Sequence, residues 1–306
     1  MTSTIGLTCD DAPLCRALAR WLDHTRLEPP DGLGLDVRVA DAPPPPDVRT
    51  PFRQPGVVVR SGPPQGGVRV WWEVAPAFAE LAPGATVARV TLSPAAIREL
   101  DLCTSSFLMT VLIFLLRRAG WHHVHAATAV DPEAGRGWLV AGDAAAGKST
   151  TAALLATRGW AVGTDDLAFL AAGMDGRVSV AACRAPIALR VGGRRLLRLI
   201  GGIPRAERDK FTFWPEDLGG VWAPHVAPDV ILFPSIGDGR STATALGGRD
   251  TLVELVRWSA WVVLEPELAQ PHLDLLGTLA RQARAFRVTL GRDLFDHPDR
   301  LRELVA

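Results

Sequence analysis

Gly142-Asp143-Ala144-Ala145-Ala146-Gly147-Lys148-Ser149-Thr150 is the stretch on which the reading of this 306-residue chain turns. It fits the pattern G-x-x-x-x-G-K-[ST]. The apolar run Trp138-Leu139-Val140-Ala141 precedes it, and the helix-forming run Thr151-Ala152-Ala153-Leu154-Leu155-Ala156 follows. A strand, a glycine-bounded loop and a helix start are the context that gives such a pattern physical meaning. The loop N–H groups from Gly142 to Thr150 would converge on a polyphosphate, helped by the field at the helix N-terminus. Lys148 would reach the terminal phosphates, and the Ser149 hydroxyl would hold Mg²⁺.

Composition sharpens this. Among 33 Lys+Arg, only Lys148 and Lys210 are lysine. A compact ammonium at a phosphate is one reason to keep a lysine in an arginine-dominated chain. Acidic and basic residues balance at 33 each, so nothing predicts a nucleic-acid or anionic-membrane partner. Cys9, Cys15, Cys103 and Cys183 are scattered, which reads as reduced thiols of a cytoplasmic protein. Asp10, Asp11 and Arg16 come too early for a secretion signal. The apolar run Phe107 to Leu116 is about half a bilayer span and reads as a buried helix starting at Ser93-Pro94. The chain has no asparagine, which excludes the N-K-x-D base-reading motif of GTPases and the Mg²⁺-binding asparagine of eukaryotic-type protein kinases.

The expected architecture is α/β, with a mixed sheet in a P-loop core over residues 93–306 and a strand-rich region over residues 1–92. In that first region Val37–Val39, Val57–Arg60, Val68–Val74 and Val87–Leu92 read as strands. Pro43–Pro46 and Gly62–Gly67 read as exposed connections. Trp71-Trp72 reads as one core and one half-buried residue rather than a ligand surface. In the core, Ala127–Val130 and the loop's strand form a hairpin around Asp131–Gly135. Arg158-Gly159 closes the following helix, and Trp160–Gly163 forms the next strand. Strand, crossover helix and parallel strand bring the loop and Asp165-Asp166 to one edge of the sheet. Arg205 to Trp214 reads as a polar connection.

Phosphoryl transfer needs a phosphate cradle, a divalent cation and a group that orients or deprotonates the acceptor. Adjacent residues on a strand face opposite ways, so Asp165 and Asp166 would divide the work between general base and metal ligand. His125 either holds a nearby carboxylate or is a buried histidine bonded to backbone. His122 and His123 read as surface or structural. Lys210 could reach the transferring phosphate from a loop, with Arg190, Arg205 and Arg240 as weaker candidates.

His125-Ala126, Gly142-Asp143 through Ser149, and Arg158-Gly159 through Asp165-Asp166, in that order and spacing, resemble the core of the HPr kinase/phosphorylase family. These are bacterial serine kinases related in their P-loop to phosphoenolpyruvate carboxykinases. The resemblance covers about forty residues. It implies an ATP- and Mg²⁺-dependent kinase of a serine hydroxyl, with Asp165 as base, Asp166 with Ser149 on the metal side, and His125 at the catalytic site. The family loop usually has Ser-Gly where this chain has Ala144-Ala145. Its later glycine-rich signature and metal-side glutamate have no good match; Val191-Gly192-Gly193-Arg194-Arg195 is a poor one. The first 92 residues do not look like the family's sugar-transport N-terminal domain. The chain is more similar to stand-alone relatives, some resembling kinases that tailor ribosomal peptides of the lasso type.

The expectation is therefore a cytoplasmic kinase acting on a serine of a peptide or protein, with residues 1–92 offering sheet edges to an extended substrate. A homo-oligomer is left open. The rivals are a kinase of a small hydroxylated metabolite and an ATP-binding regulatory module without turnover.

Overall fold

In the computed structural model the described residues are 5–44, 52–54, 56–61, 66–190, 205–207 and 210–306. Pro45 and Pro46, residues 62–65 and residues 191–204, with their expected connections and the poorly matching Val191–Arg195, lie outside them. The chain divides into two compact units, one of residues 1–122 with 261–272, the other of residues 123–260 with 273–306.

The first unit is built on a seven-stranded sheet. Its strands are β1 (Gly6–Cys9), β2 (Gly34–Val39), β3 (Phe52–Gln54), β4 (Val57–Ser61), β5 (Val68–Trp72), β6 (Ala77–Leu81) and β7 (Val87–Leu92), in the order β1-β2-β7-β6-β5-β4-β3. β1, β2 and β7 run parallel, and the rest is an antiparallel meander. The region also contains a helix that the sequence reading missed, α1 (Ala12–Thr25). Asp11 caps it by accepting from Leu14 N at 2.7 Å, and Leu14, Leu18 and Leu22 bury one face. Trp71 and Trp72 are both buried, at 7% and 2% exposure, so neither is half-buried and no tryptophan surface exists there. Their pleat partners are unlike: Trp71 packs on Phe78 and Trp72 on Phe107.

Phe107 belongs to a helical run. It comprises α2 (Pro94–Arg98), capped by the Ser93 hydroxyl as expected, a short α3 (Leu100–Leu102), a π-helical stretch at Cys103–Leu108 and α4 (Met109–Arg117). Leu100–Arg117 is long and apolar enough to cross a membrane, yet 72% of it is buried within the protein. Its end is tied down by charge. Arg117 and Arg118 both pair with Glu265, and Arg117 Nη1 donates to Trp261 O.

The second unit carries a ten-stranded mixed sheet. Its strands are β8 (His122–Val130), β9 (Gly137–Ala141), β10 (Ala161–Val162), β11 (Leu167–Ala172), β12 (Val178–Ala182), β16 (Val221–Trp222), β17 (His225–Val226), β18 (Pro228–Ile236), β19 (Thr242–Leu246) and β20 (Arg284–Leu290). A separate three-stranded sheet joins β13 (Ile187–Arg190), β14 (Arg205–Glu207) and β15 (Lys210–Phe213). β14 and β15 are thus antiparallel strands where a connection was expected; Lys210-Phe211-Thr212-Phe213 alternates polar and apolar, and β15 pairs on its other side with β13. The large sheet is covered on both faces. Trp138 and Val140 of β9 pack with α5 (Lys148–Ala156), while Leu139 and Ala141 pack with Leu255, Leu276 and Leu279 of later helices. Alternation along one strand therefore builds two cores, as a doubly covered sheet requires.

Candidate active site

β8 and β9 form the expected antiparallel hairpin, from Ala126↔Ala141 to Val130↔Gly137. β10 pairs antiparallel with β8, so β9 and β10 run parallel with β8 between them. The loop after β9, the residues after β10 and the start of β8 consequently share one edge of the sheet. This is the convergence expected from strand, crossover helix and strand. Gly159 closes the crossover with φ 76, and its N–H and that of Trp160 return to Ala156 O and Leu155 O.

Residues 142–147 link β9 to α5. Gly147 has φ 109, a conformation that favours glycine; a Cβ there would also lie 2.6 Å from Leu290 Cδ1, the movable end of a leucine side chain. Ala145 takes the left-handed conformation as well, at φ 66, where a side chain is disfavoured. Asp143 Oδ1 accepts from Ala144 N at 2.6 Å, and Ala146 N donates to Asp143 O. α5 begins at Gly147 with no side-chain cap, and the first N–H to bond back is that of Thr151, to Gly147 O. The N–H groups of the first turn, Lys148, Ser149 and Thr150, are thus left for an outside acceptor.

Lys148 is 6% exposed and turns back over the loop, donating to Gly142 O and Asp143 O at 2.9 Å each. Burial holds its pKa below the ordinary lysine value; Asp166, Asp165 and Asp143 pull the other way and do not fully offset it. A buried ammonium satisfied only by carbonyls, beside an uncapped helix start, is an anion-seeking arrangement. The half-buried hydroxyls of Ser149 and Thr150 flank it. These features fit a polyphosphate carrying Mg²⁺.

Across the edge, His125 Nε2 lies 2.6 Å from Asp166 Oδ1. Partial desolvation alone would raise the Asp166 pKa, but the His125 hydrogen bond, the charges of His125 and His123, and Lys148 outweigh it, and the carboxyl is held below its ordinary value. The Asp166 side chain keeps 58% of its surface open. Asp165 is different. It is 6% exposed, and its Oδ2 accepts from Ala188 N of β13 at 3.1 Å. Asp165 and Asp166 lie in the bend between β10 and β11 rather than on a strand, so their different surroundings come from the bend and not from the expected strand alternation.

Two threonines position this pair and gave no sequence signal. Thr128 of β8 is fully buried, its carbonyl accepts from Gly163 N, and its hydroxyl accepts from Thr164 N. The Thr164 hydroxyl in turn accepts from Asp166 N and Leu167 N. Gly163 has no room for a side chain, since a Cβ would meet Ala182 Cβ and Ala223 O at 2.6 Å. Its carbonyl takes the Trp222 indole N–H at 3.0 Å, and Arg184 lies between Trp222 and Trp214.

His122 and His123 are buried, stacked on His272 and edge-on to Phe169 respectively, and are structural rather than surface residues. The side chains of Lys210, Arg190 and Arg205 lie outside the described residues, while Arg240 is exposed.

No family model matches the chain, and no curated protein matches it. Among solved structures, the HPr(Ser) kinase/phosphatase from Coxiella burnetii aligns with 60% of this chain and 88% of its own, at 14% identity and a TM-score of 0.32.

Proposed function

We propose that the protein is an ATP-dependent kinase that transfers the γ-phosphoryl group to a hydroxyl, with a serine of a peptide or protein as acceptor. One observation carries the reading: the buried Lys148 at an uncapped helix start shares a sheet edge with a histidine-held, accessible carboxylate. Phosphoryl transfer asks little of a protein beyond positioning and charge, and this edge supplies both. The serine acceptor rests on the motif resemblance alone.

In this reading the first-turn N–H groups of α5 and Lys148 hold the phosphates. Ser149 and Asp165 are the residues that would hold Mg²⁺, which when bound neutralises charge on the phosphoryl group in flight. Asp166 faces the acceptor. Its hydroxyl oxygen attacks the γ-phosphorus, the bond to the bridging oxygen breaks, ADP leaves, and the hydroxyl proton passes to Asp166. His125 fixes that carboxylate through the 2.6 Å contact. This reverses the roles that the family resemblance implies for the two aspartates. Accessibility favours the reversal, because Asp165 is tied to Ala188 N and enclosed.

The test is mass spectrometry of serine-containing peptides and of a metabolite panel after incubation with Mg²⁺ and ATP. Addition of one phosphate to a peptide serine is expected, and Lys148→Ala abolishes it. Asp166→Asn lowers kcat at least about a hundredfold with ATP affinity retained, whereas Asp165→Asn raises the Mg²⁺ requirement. The opposite pair of phenotypes restores the original division. Phosphorylation of only a free metabolite removes the peptide assignment.

A further inference from the structure

The sheet edge that carries Asp166 and His125 on one side of the loop carries something different on the other. Beyond β9 lie β18 and then β20, both parallel to it, so their C-terminal ends reach the same edge. The last residues of this pair, Ile236 and Leu290, are register partners. Ile236 is 69% exposed, and Leu290 is only partly buried. Both adjoin the loop. A Cβ at Gly147 would lie 2.6 Å from Leu290 Cδ1 and 3.7 Å from Ile236 Cγ1.

Direction then follows from the first turn of α5. The terminal phosphoryl group of a bound nucleotide has to point toward Lys148, Asp166 and His125. Its nucleoside end must leave the other way, over Gly147 and toward β18 and β20. We propose that the apolar step made by Ile236 and Leu290 seats the nucleobase, with Arg292 at its rim. This inference rests on the nucleotide reading above and extends it to the base.

The step is held firmly. Gly237 N donates to Leu290 O at 3.0 Å. Gly291 N donates to Ser241 Oγ at 2.9 Å, and Ser241 donates through both its N–H and its hydroxyl to Asp293 Oδ1. Gly237 and Gly291 are packed too closely for any Cβ, the first against Thr289 and the second against Asp293 and Ser241. Arg292 is 72% exposed and loosely paired with Asp238 at 3.5 Å, so its guanidinium can turn over a planar ring. A surface of two aliphatic side chains and one guanidinium recognises a base by area and stacking, so adenine and guanine nucleotides should bind within about tenfold of each other.

Calorimetric titration of the full chain with Mg²⁺-ATP and with Mg²⁺-tripolyphosphate tests this, using the wild type and Ile236→Ser. Ile236 is exposed, so the variant should fold, and circular dichroism checks that it does. ATP should bind the wild type at least tenfold more tightly than tripolyphosphate. Ile236→Ser should weaken ATP about fivefold and leave tripolyphosphate unchanged. Equal weakening of both ligands, or no change for ATP, overturns the base site while leaving the phosphate loop standing. Binding of neither ligand by the wild type overturns the loop reading and this inference with it.

Discussion

Ala145 is the residue at which this loop departs most plainly from expectation. Its φ of 66 is a conformation in which a methyl group costs about 1–2 kcal/mol, while glycine there would lose about 0.5–1 kcal/mol through unfolded-state freedom. Ala145→Gly should therefore raise stability by roughly 0.5 kcal/mol and leave phosphoryl transfer intact. A lower urea midpoint would mean that the exposed methyl group makes a contact worth more than the strain. A second residue-scale effect concerns pH. His122 is 1% exposed and stacked on His272; burial first, and the Arg117 charge second, push its pKa down to about 4. Unfolded, it titrates near the ordinary value of about 6.5, so the unfolded chain binds the extra proton between those limits. The neutral-histidine contribution is full above pH 6.5 and is lost as pH falls toward 4, on the order of 3 kcal/mol in all. His122→Phe should flatten the fall in stability between pH 7 and pH 5 relative to the wild type, in parallel denaturant titrations. Unchanged slopes would show that other groups carry the acid sensitivity.

At the scale of elements, the hairpin, the loop, α5 and the edge shared with Asp165-Asp166 were legible because each has a local signature. Glycine marks a left-handed turn, Ser93 and Pro94 mark a helix start, and alternation marks a strand. What was not legible depended on partners far along the chain. Asp11 and Pro13 could have announced α1, but the proline-rich strands around it dominated the composition. β15 pairs with β13, well before it in the chain, as well as with β14, and no local signature announces that partner. Which aspartate His125 meets is decided by Thr128 and Thr164, common residues whose hydroxyls bond backbone only once the strands are side by side. The same holds at the end of α4. The sequence shows an apolar run closed by Arg117-Arg118, as if the pair marked the surface. In fact both guanidiniums are buried against Glu265, nearly 150 residues on, with side chains at 0%, 4% and 1% exposure. Burial raises the Glu265 pKa and lowers that of Arg117, and each partner's charge opposes the shift. Glu265→Gln would leave two buried cations without their counter-charge, costing about 3–5 kcal/mol. Equilibrium unfolding in urea would measure it, and a loss below about 1 kcal/mol would mean that water or Glu267 already serves them.

For the whole molecule, the consequence lies in how the chain is shared between its two units. The first unit is not a contiguous N-terminal piece, because it recruits Trp261–His272 from the far end of the sequence. That short segment supplies the Glu265 carboxylate, the Trp261 carbonyl that accepts from Arg117, the Trp261 ring edge-on to Phe114, and the His272 ring on His122. A fragment of residues 1–122 keeps the seven-stranded sheet but loses all of these together. Its helical run then ends in two unpaired guanidiniums beside exposed aromatic surface. Loss of a buried counter-ion alone rivals the net stability of many domains of this size. The fragment should therefore be expanded or aggregated, with poor near-ultraviolet circular dichroism and rapid amide exchange along Leu100–Arg117. Addition of a synthetic peptide spanning residues 258–275 should restore slow exchange in that helix. A 1–122 fragment that unfolds cooperatively without the peptide would show that the sheet and helix suffice, and that the recruited segment contributes little to this unit's stability.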